Sequence, residues 1–334
     1  MIKAFVFGKF LPFHKGHEAL IRFALTQCEF LSVLICSSDQ EFIEGIIRKS
    51  WIENSFRDVP NLEIIVLDYK ESELPNTSES SGEVSKVWAN CFKKIFPDHE
   101  LLVTSEPYGN FVAKFMNIKH ISFDQERQQV PISASIIRND IFSNWRFIPD
   151  GVKPFFSIKV VILGTESTGK STLTKQLANH YACTMVAEAG RELISDSNNF
   201  IYEDLLAVAR EHAVKINEAL AGNYPLVIID TDIHITKSYS KFVFNKNLDI
   251  DQGIIDTNKA QLYLYLNNDV DYVQDGTRLS FADRNNLDQS HRKILQQSNI
   301  QFVEIKGNWD KRFEKAVACI DKLIEQKKHD FLTL

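Results

Sequence analysis

The chain has 334 residues, 44% of them hydrophobic and 25% charged, with a net charge of −6 at neutral pH. That length exceeds one comfortable hydrophobic core and suits two domains of ordinary size, and no apolar run approaches the roughly 20 residues that cross a bilayer. The acidic balance argues against wholesale nucleic-acid binding, which draws its affinity from basic side chains on phosphates, whereas a small phosphorylated ligand needs only a local positive patch.

From the amino terminus, short apolar blocks alternate with helical patterns, as in a parallel α/β sheet. The first block, IKAFVFG (2–8), is too short and too quickly followed by a Gly/Pro/His loop to be a signal peptide. Next comes GHEALIRFALTQC (16–28), in which Ala19, Leu20, Phe23 and Ala24 share a helix face. Strands are expected at LSVLICSSD (31–39) and LEIIVLDY (62–69). The polar, turn-rich segment Lys70 to Glu83 then reads as a surface loop or lid. A helix pattern, GEVSKVWANCFKKIF (82–96), leads to strand blocks ELLVTSEP (100–107) and KHISFD (119–124). Pro149, Gly151 and Pro154 in RFIPDGVKPFF close this unit.

A second series opens with FSIKVVILG (156–164), then helical patterns over 170–181 and 202–220. Strand blocks PLVIIDTD (225–232), AQLYLYLN (260–267) and QFVEIKG (301–307) precede a final helix. The expected fold is α/β with two parallel-sheet domains, 1–150 and 155–334. Five scattered cysteines (Cys28, Cys36, Cys91, Cys183, Cys319) without a C-x-x-C pair read as reduced thiols in a cytoplasmic chain.

GTESTGKS (Gly164 to Ser171) fits G-x-x-x-x-G-K-[ST] between a strand and a helix, which is the context a P-loop requires. Backbone amides of Gly164, Thr165, Glu166, Ser167, Thr168 and Gly169, with Ser171 and Thr172 at the helix start, would surround the phosphates of ATP. Lys170 would bring a charge to the β/γ oxygens and Ser171 a hydroxyl to Mg2+. PLVIIDTD ends in Asp230 and Asp232, of which one would hold Mg2+ and the other accept a proton from a substrate hydroxyl; residue type alone leaves the assignment open, with Asp230 the expected metal ligand. Both also read as turn-opening acids. Arg278 and Arg284 fall in a polar stretch where arginine would stabilise a transferring phosphoryl group or merely face solvent.

In the first turn, GKFLPFHKGH places His14 and His17 where a helix starts behind a strand. Free amides and the helix dipole favour anions there, so two imidazoles converging from loop and helix, both open to solvent, would complete a phosphate cradle. A metal site and purely structural histidines are the rivals, the former thin for want of a third ligand. Further on, ISASIIR (Ile132 to Arg138) reads as a capped helix start, with Ser133 or Ser135 capping and Arg138 one turn on, suited to the β/γ-phosphates.

On these residues the chain resembles a known family. GKFLPFHKGH is similar to the H-x-G-H signature of nucleotidylyltransferases, and ISASIIR to the I-S-x-[ST]-x-x-R element of nicotinamide mononucleotide adenylyltransferases. With a P-loop behind them, nearly the whole chain resembles the NadR-type proteins. The resemblance implies a Rossmann-like nucleotidylyltransferase domain followed by a P-loop ribosylnicotinamide kinase domain. It implies ATP as co-substrate of both steps, with Mg2+, and nicotinamide mononucleotide (NMN), ribosylnicotinamide and NAD as the other small-molecule partners. No nucleic acid or membrane partner is implied, and a homo-oligomer is compatible with it.

The resemblance further puts Ser105 and Glu106 of TSEPYG near the adenine, and Trp88 against the nicotinamide ring or in the core. It makes Glu188 and Arg191 of EAGRE contacts of ribosylnicotinamide. Gly8, Phe10 and Gly16 join the ATP-binding set, and Lys9 joins His14, His17 and Arg138 in stabilising charge. Family members that repress transcription carry a helix-turn-helix ahead of the first domain, whereas here the first strand opens at residue 2, so repression is not expected. Rival readings are a fused adenylyltransferase and kinase of coenzyme A synthesis or of sulfate activation, and a nucleotide-sensing regulator without turnover.

Overall fold

The computed structural model describes residues 1–76, 81–194, 200–270 and 281–332. They form two compact units, 1–152 with 328–334, and 153–327. Of the described residues at the carboxyl terminus, 328–332 group with the first unit.

In the first unit, β1 (Lys3–Gly8), β2 (Phe30–Ser38), β3 (Leu62–Tyr69), β4 (Leu101–Thr104) and β5 (Lys119–Ser122) make one parallel sheet in the order β3-β2-β1-β4-β5. All five were expected. Parallel strands covered on both faces are apolar throughout, which is why β2 is buried from Leu31 to Ser38. The helices are α1 (Lys15–Leu25), α2 (Gly45–Ser55), α3 (Gly82–Ile95), α4 (Tyr108–Met116) and α5 (Ala134–Asn139). α1 buries Leu20, Ile21 and Ala24, and its Phe23 stacks on Phe123 at 4.8 Å. Of the segment 70–83, Gly82 and Glu83 already belong to α3, capped by Ser81, and residues 77–80 lie outside those described. The chain leaves β1 towards β2 and returns to β4 on its other side. Such a reversal opens a crevice at the carboxyl edge of the sheet.

The second unit begins with α6 (Lys153–Phe156) and the strand β6 (Ile158–Leu163). The strands β7 (Thr184–Val186), β8 (Leu226–Asp230), β9 (Leu262–Leu266) and β10 (Val303–Ile305) complete a second parallel sheet, β10-β9-β6-β8-β7. β7 was not expected, because three residues on a sheet edge show no period. Its helices are α7 (Lys170–Tyr181), α8 (Gly190–Leu193), α9 (Tyr202–Leu220), α10 (Ile233–Phe244), α11 (Gln252–Asn258), α12 (Phe281–Gln297) and α13 (Trp309–Leu332). Val161, Leu163, Val227, Ile229, Tyr263 and Tyr265 pack with Ile216 and Leu220 of α9, fixing β6 at the centre and the P-loop at its end. No described helix is long and apolar enough to cross a membrane.

Candidate functional site

Three adjoining cavities of about 120, 230 and 180 Å³ run along the carboxyl edge of the first sheet and share lining residues. Gly8, Lys9, Phe10, His17, Ser105, Glu106 and Arg138 line the middle one. His14, Gly16, Ser133 and Ser135 line the last, and Trp88 the first. All the site residues proposed for this half therefore face one crevice.

His14 departs from expectation in its role. It is the N-cap of α1, and its Nδ1 accepts from the amides of Gly16 (3.1 Å) and His17 (3.3 Å). Those amides are therefore not free for a phosphate. The residue is also only 4% exposed rather than open to solvent. Burial, with Arg127 and Arg138 adding, lowers its pKa to about 3, so the ring is neutral with its proton on Nε2. His17 stacks on it with centroids 3.6 Å apart and meets Phe10 edge-on at 5.0 Å. Burial and His14 hold His17 well below the usual histidine range, and its buried Nδ1 has no hydrogen-bond partner among the described residues. The cradle is thus two neutral imidazoles. Cations supply the positive charge.

Arg138 donates to the carbonyl of Leu11 (2.5 Å) and to Ser135 Oγ (3.3 Å), which fixes the β1–α1 loop from the far side of the crevice. Of the two serines that could cap α5, Ser133 does so, accepting from the amide of Ile136. Lys9 pairs with Glu41 (2.9 Å), and Glu41 with the fully buried Arg48 (2.6 Å). Arg48 also donates to the carbonyls of Lys9 (2.9 Å) and Ile43. Glu106 pairs with Arg127 at 2.8 Å. Sequence reasoning missed Arg48, Glu41 and Arg127, since an isolated charge within a helix or turn carries no local signal. Trp88 is half-buried; its indole N–H donates to Pro75 O (3.0 Å) while its ring meets Tyr69 edge-on at 5.1 Å and lines the 120 Å³ cavity.

In the second unit the P-loop follows β6. Gly164 (φ +140°) and Gly169 (φ +86°) take up conformations open to glycine, and a Cβ at Gly164 would lie 2.7 Å from Leu266 O. Thr165 O accepts from Thr168 Oγ1 (2.8 Å) and from Lys170 Nζ (3.0 Å), so the loop is closed on itself. Arg312 holds the loop from outside, buried and donating to Thr168 O (2.8 Å). Glu166 accepts from Tyr239 OH at 3.0 Å. Thr172 is exposed in the first turn of α7.

Ser171 Oγ donates to Asp230 Oδ2 at 2.5 Å. Burial, with Glu188 adding, raises the Asp230 pKa against the pull of Lys170 and Ser171. Of the readings open to Asp232, the structure shows the turn-opening one. It is 1% exposed and caps α10, with Oδ1 accepting from the amides of His234 (3.0 Å) and Ile235 (3.4 Å) and Oδ2 facing His234 Nδ1 at 2.5 Å. Both oxygens are occupied within the fold. Glu188 instead lines a cleft of about 320 Å³ with Ser167, Lys170, Arg191, His212 and Tyr239, and accepts from Arg191 Nε at 3.0 Å. Arg278 lies outside the described residues, and Arg284 is buried in α12 rather than facing solvent. Among the described residues no three His, Cys, Asp or Glu side chains cluster as for a metal.

A histidine-lined turn and a P-loop, each at the carboxyl edge of a doubly wound parallel sheet, stand where α/β folds of this class bind nucleotides. A family model described as an AAA domain matches residues 159–312. The trifunctional NAD biosynthesis/regulator protein NadR of Escherichia coli (strain K12) is 29% identical over 349 residues, covering 97% of this chain and 83% of the relative. Its counterpart from Salmonella typhimurium (strain LT2) is 29% identical, with 96% and 83% covered. A crystal structure of a NadR protein in complex with NR shares the fold at a TM-score of 0.68 and 18% identity, over 96% of this chain and 95% of that one. Another, with NAD and AMP-PNP, gives 0.65 and 18% over 100% and 96%. The resemblance to the NadR-type proteins holds over nearly the whole chain.

Proposed function

We propose that the chain is a bifunctional enzyme of NAD biosynthesis. The second unit phosphorylates the 5′-hydroxyl of ribosylnicotinamide with ATP to give NMN. The first joins NMN to the AMP part of another ATP, giving NAD and pyrophosphate. The observation that carries this reading is the pairing of a histidine-lined crevice with a closed P-loop, one in each unit. Similarity to NAD biosynthesis/regulator proteins along 97% of the chain supports it.

In the first unit the phosphate of NMN is already a nucleophile, so no strong base is required; orientation and charge stabilisation suffice. His14 offers Nε2–H and His17 a neutral ring, and Arg138 and Lys9 supply the cations. Gly8, Phe10, Gly16, Ser105, Glu106, Ser133 and Ser135 hold ATP, with Trp88 beside the nicotinamide in the smallest cavity. In the second unit a hydroxyl must lose a proton. Asp232 is spent on capping and Asp230 faces Ser171, so the base is Glu188, oriented by Arg191. The hard oxygens of Ser171 and Asp230 fit Mg2+, which would neutralise triphosphate charge when bound. Lys170 leaves Thr165 O for the β/γ oxygens.

A substrate panel with ATP tests the reading: ribosylnicotinamide, NMN, nicotinate mononucleotide, phosphopantetheine and sulfate. ADP is expected with ribosylnicotinamide, and pyrophosphate with a pyridine mononucleotide. Turnover of phosphopantetheine or sulfate in their place overturns it in favour of another pathway, and no turnover at all in favour of a regulator.

A further inference from the structure

We propose that Trp309 is the platform on which the adenine of the ATP held by the P-loop stacks. The inference requires only that the loop of the proposed kinase unit binds ATP; it does not depend on which acceptor is phosphorylated. Trp309 opens α13 directly behind the β10 turn, where Gly307 (φ +99°) donates its amide to Asp269 Oδ2 at 2.8 Å. Its indole lies against the P-loop itself: a Cβ on Gly169 would fall 2.3 Å from Trp309 Cζ3 and 2.5 Å from Cη2. Only glycine allows that approach.

The ring is also held from its own helix. The Arg312 guanidinium sits 5.4 Å from the indole centroid and is locked by the carbonyls of Thr168 (2.8 Å), Gly307 (2.8 Å) and Asn267 (2.9 Å) and by Asp269. The loop, the turn and the indole therefore form one rigid piece. Despite these fixings Trp309 remains 50% exposed. A large ring clamped to a phosphate loop yet half open to solvent is placed to receive a second flat ring.

Geometry selects which ring. The acceptor cleft lies on the Lys170 and Glu188 side of the loop, and Trp309 is not among its lining residues. A triphosphate is linear. With its γ-phosphate turned to that cleft, its α-phosphate and base would leave away from it, and the indole, packed on Gly169 outside the cleft, offers them a ring. Stacking on an aromatic ring is tolerant of base identity because every base offers a π-face, and its loss weakens binding by about ten- to a hundredfold per base.

The test uses the full chain with Trp309→Leu, which keeps apolar packing on Gly169 without an aromatic face, and Trp309→Phe, which keeps a smaller one. Calorimetry measures binding of ATP and of inorganic tripolyphosphate, which has no base. The ATP crevice of the first unit is common to all three proteins, so differences between them report the second. Trp309→Leu should lose at least tenfold in ATP affinity at the P-loop and keep its tripolyphosphate affinity, with Trp309→Phe recovering most of the loss. Unchanged ATP affinity in Trp309→Leu overturns the proposal, as does an equal loss for both ligands, which marks damage to the loop. Should the leucine variant fail to fold, protection of Trp309 in the natural chain from N-bromosuccinimide by ATP but not by tripolyphosphate reads the same contact, and absence of protection overturns it. Failure of the proposed enzyme reading looks different: ribosylnicotinamide is not phosphorylated while the binding contrast persists.

Discussion

Replacing Gly16 by alanine separates the placing of His14 from the stability of the fold. Gly16 lies within the first turn of α1, and a Cβ there would sit 2.9 Å from His14 Cε1 and 3.0 Å from Nδ1. The backbone is helical, so alanine suits it and stabilises by about 0.4–1 kcal/mol through the unfolded chain. The imidazole, however, must swing away and give up its bonds from the amides of Gly16 and His17. Loss of an N-cap costs about 0.5–2 kcal/mol. The two effects oppose each other, leaving a net loss of no more than about 1.6 kcal/mol. Catalysis has no such compensation: the 3.6 Å stack on His17 is broken, and a displacement of about 1 Å at a reacting centre costs roughly 100-fold. The assay is NAD formation from added NMN and ATP, read alongside urea unfolding and ribosylnicotinamide phosphorylation in the same preparation. NAD formation within threefold of the natural chain would refute a positioned His14.

Three more outcomes follow from the sites. Glu188→Gln should lower ribosylnicotinamide phosphorylation by about 10²–10⁴, whereas Asp232→Asn, which keeps an N-cap acceptor, should stay within about threefold in steady-state kinetics; the reverse order returns the base to Asp232. Lys170→Ala should abolish phosphorylation and leave NAD synthesis from NMN intact, and parallel loss of both in a folded variant shows that the two sites are not independent. For pH, the folded His14 resists protonation down to about 3 while the unfolded chain takes up its proton below about 6.5. Its contribution is complete above pH 6.5 and drains as pH falls towards 3, at about 1.4 kcal/mol per pH unit. Urea midpoints between pH 7.5 and 5 should fall accordingly, and His14→Asn, which can still cap, should remove one such increment; an unchanged slope counts against a neutral, buried ring.

Much of the fold was legible because both sheets are covered on two faces, so β1, β2, β6 and β8 appear as continuous apolar blocks followed by turn residues. The turns after β1 and β6 were legible for the same reason, since each directly follows such a block. α2 was not seen: Arg48 and Ser50 interrupt its apolar face, and Arg48 is buried by long-range bonds to Lys9 O and Glu41 that no local pattern encodes. β7 was too short. Asp232 and Glu188 show the limit within the site. An acid at the end of a strand suits a base or a cap equally, and the cap becomes visible only with the approach of the His234 and Ile235 amides.

Arg138 clasps its loop through neutral partners, the carbonyl of Leu11 and the hydroxyl of Ser135. Such dipoles fix a guanidinium in place without cancelling its charge, in contrast to Arg48, which Glu41 offsets. A chain of net charge −6 thereby keeps an uncancelled positive charge in the crevice, where the proposed anionic substrates would enter. Capture of such substrates should then gain speed at low ionic strength and lose it as dissolved salt screens the attraction, with the bound pose unaltered.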